Sequence, residues 1–326
     1  MLRLSQTSIK KNLMAFGMVM IFTTILFVSM PSSEAHILVV GDARGDTPYM
    51  HNEAVAITSQ LKSKGYNVVS LIGSSATTKN IMKGMYNADA IIYVGHGAYI
   101  TGHYNMKGGT STGPYALYGS NDYIWGVGNQ MREGWHGKTF TPPYKKGIPV
   151  MLLHTCFSVG DVQGTRVANP TQTIYDFSRM FPNANYYATS WSGGEIVTDF
   201  LGGAKNFADA NSKNYEVIKQ PTTYKGVQVW HNTNGHAAFV GNWAGTFPSV
   251  AQTTSYNDAA AEKWYQSTKG ATASAVVKYK YVKKYLYTKK VVTKKKVYYY
   301  KNHRKHVKYK KVVRYVKVYK TVKVRV

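Results

Sequence analysis

The chain has 326 residues, with 41 Lys or Arg against 15 Asp or Glu, a formal net charge of +26 and one cysteine. A single cysteine excludes an intramolecular disulfide scaffold. The charge is uneven: residues 36–277 hold 18 basic and 14 acidic side chains, whereas residues 278–326 hold 20 Lys or Arg and no acid, so the high basicity says nothing about the partners of the body.

In chain order, Lys10 and Lys11 precede an uncharged apolar run, Leu13 to Met30, and Ser33-Glu34-Ala35 fits a small-x-small cleavage site. This reads as a secretory signal peptide over residues 1–35. An uncleaved membrane anchor is the competing reading, and both export the rest of the chain. About 240 residues then remain for one well-buried α/β domain, expected over 36–268. His36 to Val40 predicts a strand and Gly41 to Pro48 a loop. Asn52 to Lys64 has helical spacing, with Val55, Ile57 and Leu61 inward. Asn67 to Ile72 is a second strand, Ser75 to Tyr86 a second helix and Ile91 to Val94 a third strand. Strands alternating with helices predict a mostly parallel sheet with right-handed crossovers.

Gly102 to Lys146, rich in Gly, Tyr, Trp and Asn, predicts loops with at most a small hairpin, overhanging the strand ends. Ile148 to Leu153 is wholly apolar, as a central parallel strand requires. A helix over Thr171 to Phe181, a strand over Asn185 to Trp191, a turn at Gly193-Gly194, a helix over Val197 to Ala210, a final strand over Gly226 to Trp230 and a closing helix over Ala259 to Ser267 complete the body. Residues 269–277 read as a linker. Residues 278–326, with 10 Tyr and 12 Val among the 20 cations, read as a low-complexity basic tail, disordered alone and extended when bound.

Two runs carry chemistry. Ile91-Ile92-Tyr93-Val94-Gly95-His96-Gly97 ends in a histidine between glycines, and Ile148 to Ser158 ends in the only cysteine, Cys156. Each reads as a buried strand delivering a reactive side chain at its carboxyl end, where open parallel sheets bind ligands. Imidazole and thiol together are the minimum equipment for covalent acyl transfer by a cysteine nucleophile. The bland readings are a hydrogen-bonded core histidine and an inert buried cysteine. His154 shares a strand face with Cys156 and is the alternative partner for it. No HExxH or CxxC spacing is present, so no zinc site is expected. His103, His136, His231 and His236 fall in Gly- and aromatic-rich sequence, and Trp125 and Trp135 could form a substrate platform or simply pack together. Arg44-Gly45-Asp46 is too short a motif to count.

The order of these runs, about 60 residues apart after two β-α units, resembles the caspase-like cysteine peptidases, which include caspases, legumains, gingipains, clostripain and separase. The resemblance covers about residues 36 to 200 and not the tail. It implies a three-layer αβα fold with a mostly parallel central sheet. It makes Cys156 the nucleophile, His96 the general base and acid, and the backbone N–H groups of Gly97 and Cys156 the oxyanion hole. It puts His154, two residues before the cysteine, in the substrate pocket, along with Asp42, Arg44 and Asp46 from the loop after the first strand. Arg44 and His154 hint at an acidic or polar residue before the cut bond, and Asp42 and Asp46 at the reverse. No organic cofactor is implied; calcium, needed by some members, stays open.

The expected partners are a protein or peptide substrate and, through the tail, an anionic cell-wall or surface polymer, with nucleic acid less favoured. The expected location is outside the cell, at the wall or surface, with no transmembrane helix once the signal is cleaved. The alternatives are a catalytically silent surface-binding module of the same fold and a nucleic-acid-binding protein.

Overall fold

The computed structural model describes residues 36–99, 114–134, 137, 139–162, 164–190, 194–213, 218–232, 236–270, 279–301 and 304–325. The expected signal segment, His103, Trp135, His136 and the Gly193 half of the glycine turn lie outside these residues. The chain divides into two compact units, at Ala271/Thr272.

The first unit is mixed α/β. Its main sheet has eight strands in the order β13-β14-β15-β12-β9-β3-β1-β2. The strands β1 (His36–Gly41), β2 (Val68–Ile72), β3 (Ala88–Val94), β9 (Pro149–Leu153) and β12 (Asn185–Thr189) run parallel. The strands β15 (Ala237–Val240), β14 (Val227–His231) and β13 (Gln220–Tyr224) are added antiparallel beside β12. Every residue of β1, β9 and β12 is buried, as expected for strands covered on both faces.

Period-two alternation divides the core in two. Leu38, Val40, Ile91, Tyr93, Val150 and Leu152 pack on one side with residues of helices α2 (Thr78–Gly84), α3 (Pro170–Ser178) and α6 (Asp258–Gly270). Ile37, Val39, Ile92, Val94, Met151 and Leu153 pack on the other with helices α1 (Pro48–Ser63), α4 (Glu195–Leu201) and α5 (Phe207–Lys213). Helix α1 lies so close to the end of β1 that a Cβ at Gly41 would overlap that of Ala54. This approach fixes where the loop after β1 begins.

Four expectations change. Helix α1 starts at Pro48, a turn earlier than the periodicity indicates, because proline at the first helical position lacks only an N–H that has no intrahelical partner. The single helix expected over Val197 to Ala210 is two helices, interrupted at Gly202-Gly203, residues of low helix propensity. The segment expected to be loops over Gly102 to Lys146 contributes most of a five-stranded antiparallel sheet, β4 (Gly97–Tyr99), β5 (Tyr115–Tyr118), β6 (Tyr123–Val127), β7 (Gln130–Glu133) and β8 (Thr139–Phe140). Its Tyr115, Leu117, Ile124 and Met131 join the core, and that burial decides their conformation. The final strand is one of three, because β13 and β15 carry too little alternation to stand out. A short ladder, β10 (Asp161–Val162) with β11 (Thr165–Arg166), comes after Cys156.

The second unit is an antiparallel hairpin, β16 (Tyr279–Lys301) and β17 (Arg304–Arg325), paired from Tyr279↔Arg325 to Lys301↔Arg304 with one bulge between Tyr285 and Tyr287. The Val and Tyr content favours strands strongly enough to give a paired ladder where charge density suggested disorder. No helix among the described residues is long and apolar enough to cross a membrane.

Candidate active site at the sheet edge

The carboxyl ends of β1, β3, β9 and β12 line up. Gly41 pairs with Val94, and Val94 with Leu153. Beyond the ladder the backbone continues this contact: Asp42 N–H donates to the Val94 carbonyl (2.9 Å), Gly95 N–H to the Leu153 carbonyl (3.1 Å) and Thr155 N–H to the Thr189 carbonyl (3.0 Å). The loops carrying Asp42 to Thr47, His96 and Cys156 therefore leave one sheet edge side by side, and the strands bearing His96 and Cys156 are direct neighbours. Thr155 Oγ1 also donates to the Gly95 carbonyl at 3.0 Å.

Side chains of the β1 loop hold the His96 ring. Its Nε2 is 2.9 Å from Thr47 Oγ1 and 3.3 Å from Asp46 Oδ1. Thr47 Oγ1 donates its own hydrogen to Asp46 Oδ1 at 2.9 Å, so it accepts from the ring. With two oxygen acceptors against it, Nε2 carries a ring proton, and in the neutral ring Nδ1 holds the lone pair. Burial alone would raise the Asp46 carboxyl. The Thr47 hydroxyl, the Arg44 guanidinium and His96 outweigh it and hold the carboxyl below its ordinary value, so it is ionised throughout the neutral range.

From the other side, the Tyr93 hydroxyl lies 2.9 Å from the His96 carbonyl and 3.2 Å from that of Tyr118, and accepts the Tyr118 N–H at 3.0 Å. Burial drives the Tyr93 phenol far above its usual range, which keeps it a donor. Tyr93→Phe leaves buried backbone groups without this partner and is expected to destabilise the protein by about 1–3 kcal/mol. Thermal unfolding of the variant checks this, and an unchanged midpoint would show that the hydroxyl does not tie down the His96 loop.

Cys156 is half-buried and sits in a sharp turn. His154 (φ 58°) and Phe157 (φ 68°) are both left-handed, a conformation that costs a non-glycine residue roughly 1–2 kcal/mol. Such strain gathers at functional sites. The turn is closed by Phe157 N–H donating to the Asp161 carbonyl (2.7 Å) and Ser158 N–H to that of Thr155 (3.2 Å). Gly97 lies directly against the Cys156 backbone, where a Cβ would overlap the Cys156 carbonyl oxygen.

The other expected pocket residues divide. Asp42 is buried (4 % exposed); it accepts the Thr47 N–H at 3.2 Å, with His51 Nδ1 3.9 Å away. It shapes the loop from within. Arg44 Nε is 2.7 Å from Asp46 Oδ2, and its guanidinium lies 5.0 Å from the centre of the Tyr118 ring. His154 Nε2 is 2.5 Å from Glu53 Oε2 on α1, and its ring meets Tyr49 edge-on. Both side chains that hinted at an acidic substrate residue thus already have an acidic partner. His154 is turned toward α1 and Glu53, while His96 is held at the edge. His231 and His236 lie in or beside the antiparallel strands β14 and β15, and the Trp125 ring is buried in the small sheet.

Sequence reasoning missed Thr47, Tyr49, Glu53 and Tyr93. Burial raises the phenol of Tyr49, in the first turn of α1, and Cys156 and Glu53 raise it further. Burial, and then Glu53 and Asp199, likewise raise the Glu195 carboxyl at the start of α4, against a backbone hydrogen bond and His154. The Thr47-Pro48 pair was a legible helix-start signal; Tyr93 and Glu53 act through Tyr118 and His154, which are 25 and 101 residues away. Among the described residues no group of three His, Cys, Asp or Glu could hold a metal ion. No protein-family model, no curated protein and no solved structure matches this chain.

Proposed function

We propose that the first unit is an exported cysteine peptidase with the three-layer caspase-like arrangement, kept at the cell surface by its basic second unit. The observation that carries this reading is the delivery of Cys156, in a turn with two left-handed residues, from the strand next to the one that delivers His96.

In the proposed reaction His96 Nδ1 takes the Cys156 proton as the sulfur attacks the carbonyl carbon of a peptide or isopeptide bond. Asp46 and Thr47 keep Nε2–H oriented and stabilise the imidazolium that forms, the role a carboxylate plays beside the histidine of a hydrolytic triad. The backbone N–H groups of Gly97 and Cys156 receive the oxyanion. The C–N bond then breaks, the amine leaves with the proton from Nδ1, and a thioester joins the acyl group to Cys156. Water, giving its proton to Nδ1, attacks the thioester and returns the thiol with a free carboxylate. No organic cofactor enters the sequence.

A thiol-directed alkylating label on the intact protein tests the site. Cys156 is expected to label, and peptide aldehydes of varied terminal residue are expected to compete, each forming a reversible hemithioacetal with the sulfur. Labelling that no aldehyde of a broad panel slows would instead favour the catalytically silent binding module.

A further inference from the structure

The hairpin has two faces that carry similar charge but different rings. Residues directly opposite in an antiparallel ladder share a face, and neighbours along a strand alternate. Among the described side chains from Lys290↔Tyr315 toward the turn, each face holds five cations. Tyr298, Tyr309 and Tyr315, however, all lie on one face, while the described side chains of the opposite face include Val297, Val312 and Val316 and no tyrosine. The register extends the bias: of the other tyrosine positions, 279, 281, 285, 300 and 319 fall in rows of the Tyr298 face, and only 287 and 299 in rows of the opposite one. The three rings are 53 %, 58 % and 69 % exposed, and Lys305 Nζ lies 4.3 Å from the centre of the Tyr298 ring.

This charge has no internal counterweight. Lys294 faces Lys311 and Lys295 faces Lys310 across the ladder, a destabilising arrangement, and residues 278–326 contain no acid. Successive residues on one face of a strand stand about 6.8 Å apart, twice the residue rise, and Lys294, Lys311 and Lys296 lie in adjacent rows of the Tyr298 face, so an extended polyanion can follow the ladder.

Resting on the reading of this unit as a polyanion-binding element, we infer that the tyrosine face is a docking surface for an acidic polysaccharide. Its lysines pair with carboxylates, while the C–H faces of the sugar rings stack on Tyr298, Tyr309 and Tyr315. The opposite face offers similar charge without a comparable row of rings, and valines stand on both faces, with Val292, Val307 and Val313 on the tyrosine face. The apolar run Leu13 to Met30, with its preceding lysines, favours a polymer outside the cell over nucleic acid.

Two polymers with the same charged group separate charge from rings: polygalacturonate, which has sugars, and polyglutamate, which has none. Titrations use the full-length protein and two triple variants, Tyr298→Ser/Tyr309→Ser/Tyr315→Ser and Val297→Ser/Val312→Ser/Val316→Ser. The tyrosine variant is expected to bind polygalacturonate at least about tenfold more weakly, a scale set by ring stacking, with under about twofold change for polyglutamate. The valine variant, which removes comparable strand-forming residues, is expected to change neither. Equal losses on both polymers, or equal losses from both variants, would overturn the face assignment and mark the tyrosines as structural. Tighter, tyrosine-dependent binding of oligo-dT would overturn it in favour of nucleic acid. Failure of the wild type to bind any of these polymers would remove the polyanion reading beneath it.

Discussion

Cys156→Ala is expected to abolish cleavage of a peptide library, lowering the rate by a factor on the order of 10⁴ or more, while the protein stays folded. A nucleophile acts together with its base and oxyanion donors, so its removal forfeits nearly everything the group achieves. The fold survives because the turn around residue 156 is held by other groups. Thr155 bonds to Thr189 through its N–H and to Gly95 through its hydroxyl, and Phe157 and Ser158 close the turn through their own N–H groups. Alanine retains the Cβ, and loss of one half-buried sulfur is expected to move stability by no more than about 1 kcal/mol. Initial rates and thermal midpoints measured together separate the two effects. Equal cleavage by wild type and variant would end the peptidase proposal, and binding of peptides without cleavage by either would support a silent module.

Gly97→Ala is expected to damage both stability and rate. The added methyl would overlap the Cys156 carbonyl oxygen and stand 2.9 Å from the Thr155 methyl. Neither neighbour is the end of a flexible side chain, so the relief must come from the backbone. Overpacking of this kind typically costs about 1–3 kcal/mol. The displacement falls on the backbone of Cys156, the proposed nucleophile, where a shift of about 1 Å can cost on the order of 100-fold in rate. Gly95→Ala is the milder comparison: there the methyl meets the Tyr93 ring at 3.0 Å, whereas a Cβ at Gly97 overlaps the Cys156 carbonyl oxygen, and a smaller effect is expected. Denaturation midpoints and rates of the two variants test the order. If Gly97→Ala kept wild-type values, the close approach of the two loops would have no functional weight.

Much of the edge was legible beforehand because its determinants are local. The apolar runs ending at Val94 and Leu153 mark buried strands by composition alone. The glycines around His96 and the placement of Cys156 after an apolar run mark strand ends. The role of Asp46 was not legible: residues in the β1 loop could only be offered together as pocket candidates, and the contact with His96 spans 50 residues. His154 shows the opposite failure. Alternation put it on the Cys156 face, but its left-handed backbone (φ 58°) breaks the alternation there and delivers the ring to Glu53. The small sheet of β4 to β8 was missed because its strands are short and each is stabilised by pairing and by burial against the main sheet.

The sequence by itself determined the alternation of strands and helices, the two runs that end in His96 and Cys156, and the separation of a nearly neutral body from a cationic tail, since hydrophobic period and charge are properties of neighbouring residues. Tertiary structure alone decided that Asp46 and Thr47 hold the His96 ring, that Gly97 touches the Cys156 backbone, and that most tyrosines of the tail share one face. Each of these depends on register between segments far apart in the chain, and register is fixed by the pairing of whole strands, which no local window contains.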